Sequence, residues 1–160
     1  MDRGTAGRHL AVDLMAKSCV FCGILRGETE AAVVFEDEVS MAFLDHRPLL
    51  PGHVLLVPKT HAETFPDLSE DLVGPLFRNA QLLSRAVERG LDAEGSFLAI
   101  NNKISQSVPH LHIHVVPRWK GDGLFSVKLL WKRSPYKDEE ARRMVREKLR
   151  RAMEEIQAEG

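Results

Sequence analysis

Residues 108–118 read Val108, Pro109, His110, Leu111, His112, Ile113, His114, Val115, Val116, Pro117, Arg118. Histidine and apolar residues alternate here, which is the period of a β-strand whose successive side chains leave opposite faces. Leu111, Ile113 and Val115 are expected to face a core. His110, His112 and His114 would then stand in a row on the other face, ~6–7 Å from one to the next. Such a row is costly as structure alone, because neighbouring imidazolium ions repel and a dry face forces the rings neutral. Surface histidines on a half-exposed strand would explain one His-x-His pair. Three in register between two prolines point to an active site.

A neutral imidazole is a good nucleophile towards phosphorus near neutral pH, more so when one nitrogen is held and the other faces substrate. His112 is flanked on both sides by groups that can do this, while His110 and His114 can orient it or bind phosphate oxygens. Negative charge that develops in phosphoryl transfer needs donors, and Ser107 and the backbone amides of residues 105–107 lie close by in sequence. A catalytic zinc bound by the three histidines, with water as nucleophile, is a rival arrangement.

The remaining pattern supplies a fold around this segment. Residues 32–35 and 39–44 read as antiparallel partners around the polar turn at residues 36–38. After a loop punctuated by Pro48, Pro51 and Gly52, the apolar run 53–57 reads as a buried central strand stopped by Pro58. Ser69 is a helix N-cap followed by acidic Glu70 and Asp71, and Leu72, Val73, Leu76, Phe77, Ala80, Leu83 and Val87 recur at helical spacing up to Gly90, read as the C′ residue. Residues 96–101 form another strand. Residues 22–27 suggest a short helix or turn ending at Gly27, and residues 9–17 a short helix or disorder.

A second helix follows Pro135, striped by Ala141, Met144, Val145, Leu149, Ala152, Met153 and Ile156. That stripe suits a core, a partner helix or a dimer contact. Strands on either side of one long helix predict an α+β domain: an antiparallel sheet with a long central helix and a C-terminal amphipathic helix. The expected boundaries are an N-terminal extension at 1–18, a domain at 19–122 and a C-terminal extension at 123–160.

A length of 160 residues with 44% hydrophobic and 28% charged residues suits one globular domain. A net charge of −1 excludes bulk attraction to nucleic acid or anionic membrane, so any nucleotide must be gripped locally. No apolar run approaches a membrane span, and residues 1–18 lack a signal-peptide hydrophobic region, which predicts a cytoplasmic protein. The basic stretch 119–134 carries Trp119, Phe125 and Trp131, and reads as a β-ribbon or dimer edge more simply than as an RNA contact. The two cysteines, Cys19 and Cys22, are spaced for a disulfide, a redox pair or half a zinc site. A cytosolic chain disfavours the disulfide, no βαβ pattern supports the redox pair, and bare thiols remain open.

Residues 110–116, with Gln106, Ser107, Val108, Pro117 and Arg118 around them, resemble the motif of the histidine triad (HIT) family. The likeness extends from about Cys19 to Asp122. It implies an antiparallel HIT-like fold, a homodimer, and nucleotide hydrolysis or transfer. His112 would attack the α-phosphate of nucleoside phosphoramidates or dinucleoside polyphosphates and form a covalent nucleotidyl-histidine. His114 would contact the phosphate and Ser107 would assist the leaving group. Asp45 resembles the residue that binds the ribose hydroxyls, although an ordinary Asx turn explains it too. His53 resembles a histidine lining the same site, against a hydrogen-bonded core histidine. Asn101 or Asn102, together with Gln106, would complete the substrate contacts.

Ser105 stands where the family commonly has glycine. His46 reads as surface. Adenine is the base the resemblance favours. Galactose-1-phosphate uridylyltransferases, similar in fold, imply a structural zinc held by Cys19, Cys22, His61 and His110. A nucleotide-binding interaction module with weak activity is the non-enzymatic alternative.

Overall fold

The computed structural model describes residues 18–125 and 134–159. Its elements are α1 (Val20–Leu25), β1 (Val33–Glu36), β2 (Ser40–Leu44), β3 (Val54–Pro58), a 3-10 turn (Phe65–Asp67), α2 (Glu70–Leu91), β4 (Gly95–Ile100), β5 (Ile113–Arg118) and α3 (Glu139–Glu159). The helix considered for residues 9–17, and Trp131, lie outside the described residues. The strands form one antiparallel sheet in the order β1-β2-β3-β5-β4. The α+β expectation holds.

Both faces of the sheet are covered, and strand alternation divides the side chains between them. Ala42 and Leu44 of β2, Val54 and Leu56 of β3, and Ile113 and Val115 of β5 pack into one core with Leu76, Ala80, Leu83 and Val87 of α2. Leu149, Ala152, Met153 and Ile156 of α3 enter the same core, so the C-terminal stripe is interior within one chain, apart from exposed Met144. On the opposite face Met41, Phe43, Leu55 and Val57 pack beneath Cys19, Phe21 and Cys22. That second face carries the chemistry.

Two expectations are corrected. The three histidines do not share a strand: β5 begins at Ile113, and only His114 is in its ladder, opposite Leu55 and Ala99. Pro109 has no N–H to give a ladder, and the Leu111 N–H bonds the carbonyl of Ala62 in the loop beyond β3 at 2.6 Å. The alternation of faces still holds, since Leu111 lies in the main core with Ile113. Gly90 is not the C′ residue either. The helix continues to Leu91, and Asp92 takes the left-handed conformation at φ 51°.

Gly90 serves instead as the point where α2 meets α3. A Cβ there would stand 2.9 Å from the backbone oxygen of Lys148 and 3.2 Å from the Cβ of Ala152. An alanine in a helix interior ordinarily gains about 1 kcal/mol over glycine. Here the obstacle is backbone, and forcing two helices apart costs roughly 1–3 kcal/mol. Gly90→Ala is therefore expected to lower stability, by about 1 kcal/mol, in urea unfolding. A stabilised variant would show that α3 docks elsewhere.

The C-terminal segment also grips the loop between β2 and β3. The Ser134 N–H donates to the Pro48 carbonyl at 2.8 Å, and the Gly52 N–H donates to the Tyr136 hydroxyl at 3.1 Å. After β5, Asp122 accepts two bonds from Arg118 and others from the Trp119 and Leu124 amides. The Arg118 guanidinium and those amides hold its carboxyl at about 2. Trp119 donates to the Asp92 carbonyl and Phe125 stacks edge-on to Phe97, so this part of the basic stretch packs on the sheet.

Candidate active site and metal centre

The histidines separate into two centres that share one backbone. His110 is fully buried and its Nε2–H donates to the Pro58 carbonyl at 2.9 Å. Its Nδ1 therefore carries a lone pair. That nitrogen lies 3.5 Å from the sulfur of Cys19 and 3.5 Å from that of Cys22. His61 Nδ1 lies 3.3 Å from the Cys22 sulfur, and its Nε2 is buried without a hydrogen-bond partner. The four ligand atoms all fall within 4.8 Å of one another. Tetrahedral zinc, with Zn–S of about 2.3 Å and Zn–N of about 2.05 Å, sets its sulfur and nitrogen ligands roughly 3.6 Å apart. The set fits zinc.

Burial, then the adjacent Cys19, pushes the Cys22 thiol up to about 11, and burial pulls His110 down to about 4. Both effects disfavour charge in a dry pocket, and a bound cation is what would stabilise thiolates there. Both cysteines are free thiols.

His112 points the other way. Its Nδ1 lies 2.7 Å from the carbonyl oxygen of His110, which can only accept, so Nδ1 carries the proton and Nε2 the lone pair. Burial holds its pKa below the usual imidazole range, against the opposing influence of the carbonyl bond and of Asp45. The ring is neutral at physiological pH, and Phe21 packs edge-on to it at 5.3 Å. The three histidines do not converge on one point. Among the described residues, the metal-competent cluster contains only His110 of the three.

His114 is set by a relay from the β2–β3 loop. The Leu49 N–H donates to His53 Nδ1 at 3.2 Å, which leaves Nε2–H to donate to His114 Nδ1 at 3.0 Å. His114 must then present Nε2 as a donor. His53 is fully buried behind His114 and positions it without reaching the cavity. Asp45 makes a local turn and also faces the cavity. Its Oδ1 accepts the Arg47 N–H at 2.8 Å in an Asx turn, while the residue lines the same cavity as His112. His46 is exposed at the rim, as expected.

That cavity, about 480 Å³, is bounded by Asp45, Ser107, His112 and His114 and walled by Phe21, Ile24, Phe43, Leu55 and Val108. Such a volume, largely apolar with a few convergent polar groups, suits a small-molecule ligand. Ser107 stands at its edge.

Asn101, Asn102 and Gln106 do not line it. Asn102 accepts the Phe65 N–H, and Gln106 joins the Lys103 amide to the Glu63 carbonyl. These two side chains hold a loop in which Lys103 and Ser105 sit at φ 66° and 60°. Ser105 thus occupies the left-handed conformation that glycine takes freely. Sequence reasoning missed Phe21, legible only as part of an apolar helix, and Arg142 of α3, which lines the cavity from far along the chain.

No helix of the described residues is long and apolar enough to cross a membrane. The family model described as the HIT domain matches residues 26–121. The chain is 32% identical over 133 residues to adenylylsulfatase HINT3 of Arabidopsis thaliana, covering 82% of this chain and 68% of that one. It is similar to the structure of a Zn-bound histidine triad family protein of Mycobacterium smegmatis, with TM-score 0.77, 36% identity and coverage of 91% and 99% of the two chains. A hypothetical histidine triad nucleotide-binding protein of Sulfolobus tokodaii gives TM-score 0.76 at 31% identity, covering 87% of this chain and 94% of that one. With over half its length matched to the HIT domain, this chain belongs to the histidine triad family.

Proposed function

We propose that the protein is a nucleotide hydrolase or transferase that works through a nucleotidyl-histidine on His112. One observation carries this reading: the His110 carbonyl fixes the His112 tautomer, leaving an Nε2 lone pair on a ring that lines a cavity with Asp45 and His114. In the first step Nε2 attacks the α-phosphorus, a P–N bond forms, and the bond to the leaving group breaks with its electron pair. The leaving group takes a proton, with Ser107 assisting. Water then attacks phosphorus, the P–N bond breaks, and a nucleoside monophosphate and neutral His112 are restored. His114 donates Nε2–H to a non-bridging oxygen, stabilising charge as it develops. Asp45 accepts from the ribose hydroxyls, and the Phe21, Ile24 and Phe43 wall takes the base.

The substrates proposed are nucleoside phosphoramidates and dinucleoside polyphosphates. The HINT3 relative's name, an adenylylsulfatase, adds adenylyl sulfate to the set worth assaying. Cys19, Cys22, His61 and His110 would hold a structural zinc that ties α1 to the segment carrying His112. The zinc would neutralise the thiolates and take no part in the reaction. A homodimer is proposed through the open edge of β4, where Leu98 is exposed, in cytoplasm and without nucleic acid.

The test is intact mass after rapid, acid-free quench of the protein mixed with adenosine phosphoramidate or, separately, diadenosine tetraphosphate. An adenylyl adduct on wild type and none on His112→Ala is the expected result. No adduct and no released nucleotide from either substrate would end the proposal.

A further inference from the structure

The cavity has an outward lip that the reaction above does not use. Glu30, Ala31, Ala32 and Arg142 border both the cavity and a neighbouring groove. His112, His114, Ser107 and Asp45 border the cavity but not that groove. Glu30 is exposed and Arg142 half-buried, so a carboxylate and a guanidinium stand where the cavity meets the groove, apart from the catalytic groups.

Arg142 is held in place. Its side chain is 25% exposed and Nη1 donates to Glu139 at 3.0 Å. Its helix is anchored in the core, and the segment before it is bonded to the loop that carries Asp45 and His53.

In a nucleoside 5′-phosphate the base and the phosphate-bearing arm are attached at C1′ and C4′, the two carbons that flank the ring oxygen, so an extended nucleotide carries them towards opposite ends of its site. With phosphorus at His112 and the ribose at Asp45, the base runs outward along the apolar wall and brings its polar edge to the lip. This placement rests on the nucleotide reading above.

We propose that Arg142 and Glu30 read that edge and that the protein prefers guanine to adenine nucleotides. Guanine offers O6 and N7 as adjacent acceptors, the pair that an arginine fork takes in bidentate fashion. Its N1–H and N2 amine give a carboxylate two donors. Adenine carries a donor amine where guanine has O6, and that amine opposes the guanidinium. Arg142 is thus a specificity-determining residue supplied by α3, outside the residues matched to the HIT domain.

The experiment measures kcat and KM for guanosine and adenosine 5′-phosphoramidates on the full chain. Wild type is expected to favour guanosine in kcat/KM by about tenfold. Arg142→Ala and Glu30→Gln should each bring the ratio towards one, mainly by raising KM for the guanosine substrate. Arg142→Lys should restore only part, because a point charge lacks the fork. A wild-type ratio near one would overturn the proposal. So would variants that lose activity equally on both bases, which marks a merely structural role.

Glu30 lies outside α3, so Glu30→Gln keeps the test decisive if Arg142→Ala fails to fold. Adducts forming on His112 from both bases at equal rates would reject base selection alone. No adduct from either base would reject the catalytic reading beneath it.

Discussion

His112→Asn is expected to lower kcat by at least about 10⁴-fold, with a much smaller change in KM. The reason is geometric. Burial and the His110 carbonyl give His112 a single role, a neutral ring with its lone pair on Nε2. Asparagine has no such lone pair, and its amide is a feeble nucleophile. The cavity walls that bind base and sugar remain, so binding should survive. His114→Ala removes one donor to a phosphate oxygen and should cost about 10²–10³-fold in kcat. Steady-state kinetics on one substrate, with nucleotide affinity measured separately, checks both. An active His112→Asn protein would mean that water attacks phosphorus directly. Loss of affinity without loss of kcat would make His112 a binding group and not the nucleophile.

The second large effect concerns the metal. The purified protein should contain one zinc per chain, and stripping it with a strong chelator should destabilise the fold. A metal that binds only the folded state, present at 1,000 times its dissociation constant, contributes about 4 kcal/mol. For a chain of this size that corresponds to a melting temperature lower by on the order of 10 °C. Cys22→Ser should show the same loss. Well below its melting temperature the stripped protein should still turn over substrate, because His112 and His114 belong to no metal cluster. Immediate loss of turnover on chelation, with the fold intact, would instead revive the zinc–water mechanism. Protein free of zinc with an unchanged melting temperature would remove the metal from the account.

The strands, α2 and α3 were readable because burial on one face imposes a period, and the periods were present. The division of the histidine segment was readable for the same reason: Leu111, Ile113 and Val115 face one core and the histidines the other side. What the pattern could not show was where pairing starts. Pro109, and a Leu111 amide claimed by Ala62, delay β5 to Ile113, and those are tertiary facts. Gly90 looked like a stop because glycine ends helices, yet here a neighbouring backbone requires it. Asn102 and Gln106 sit in the motif's shadow but hold a strained loop. Arg142 left no local sign at all, since only the packing of α3 brings it to the cavity.

His110 joins two centres with two different parts of one residue. Its ring faces the thiols, and its carbonyl sets the proton on His112. The carbonyl is common to every amino acid, so a substitution at position 110 that keeps the backbone in place would cost the metal its ligand while still setting the proton on His112. Backbone geometry at this position, by contrast, cannot drift without taking the reaction with it.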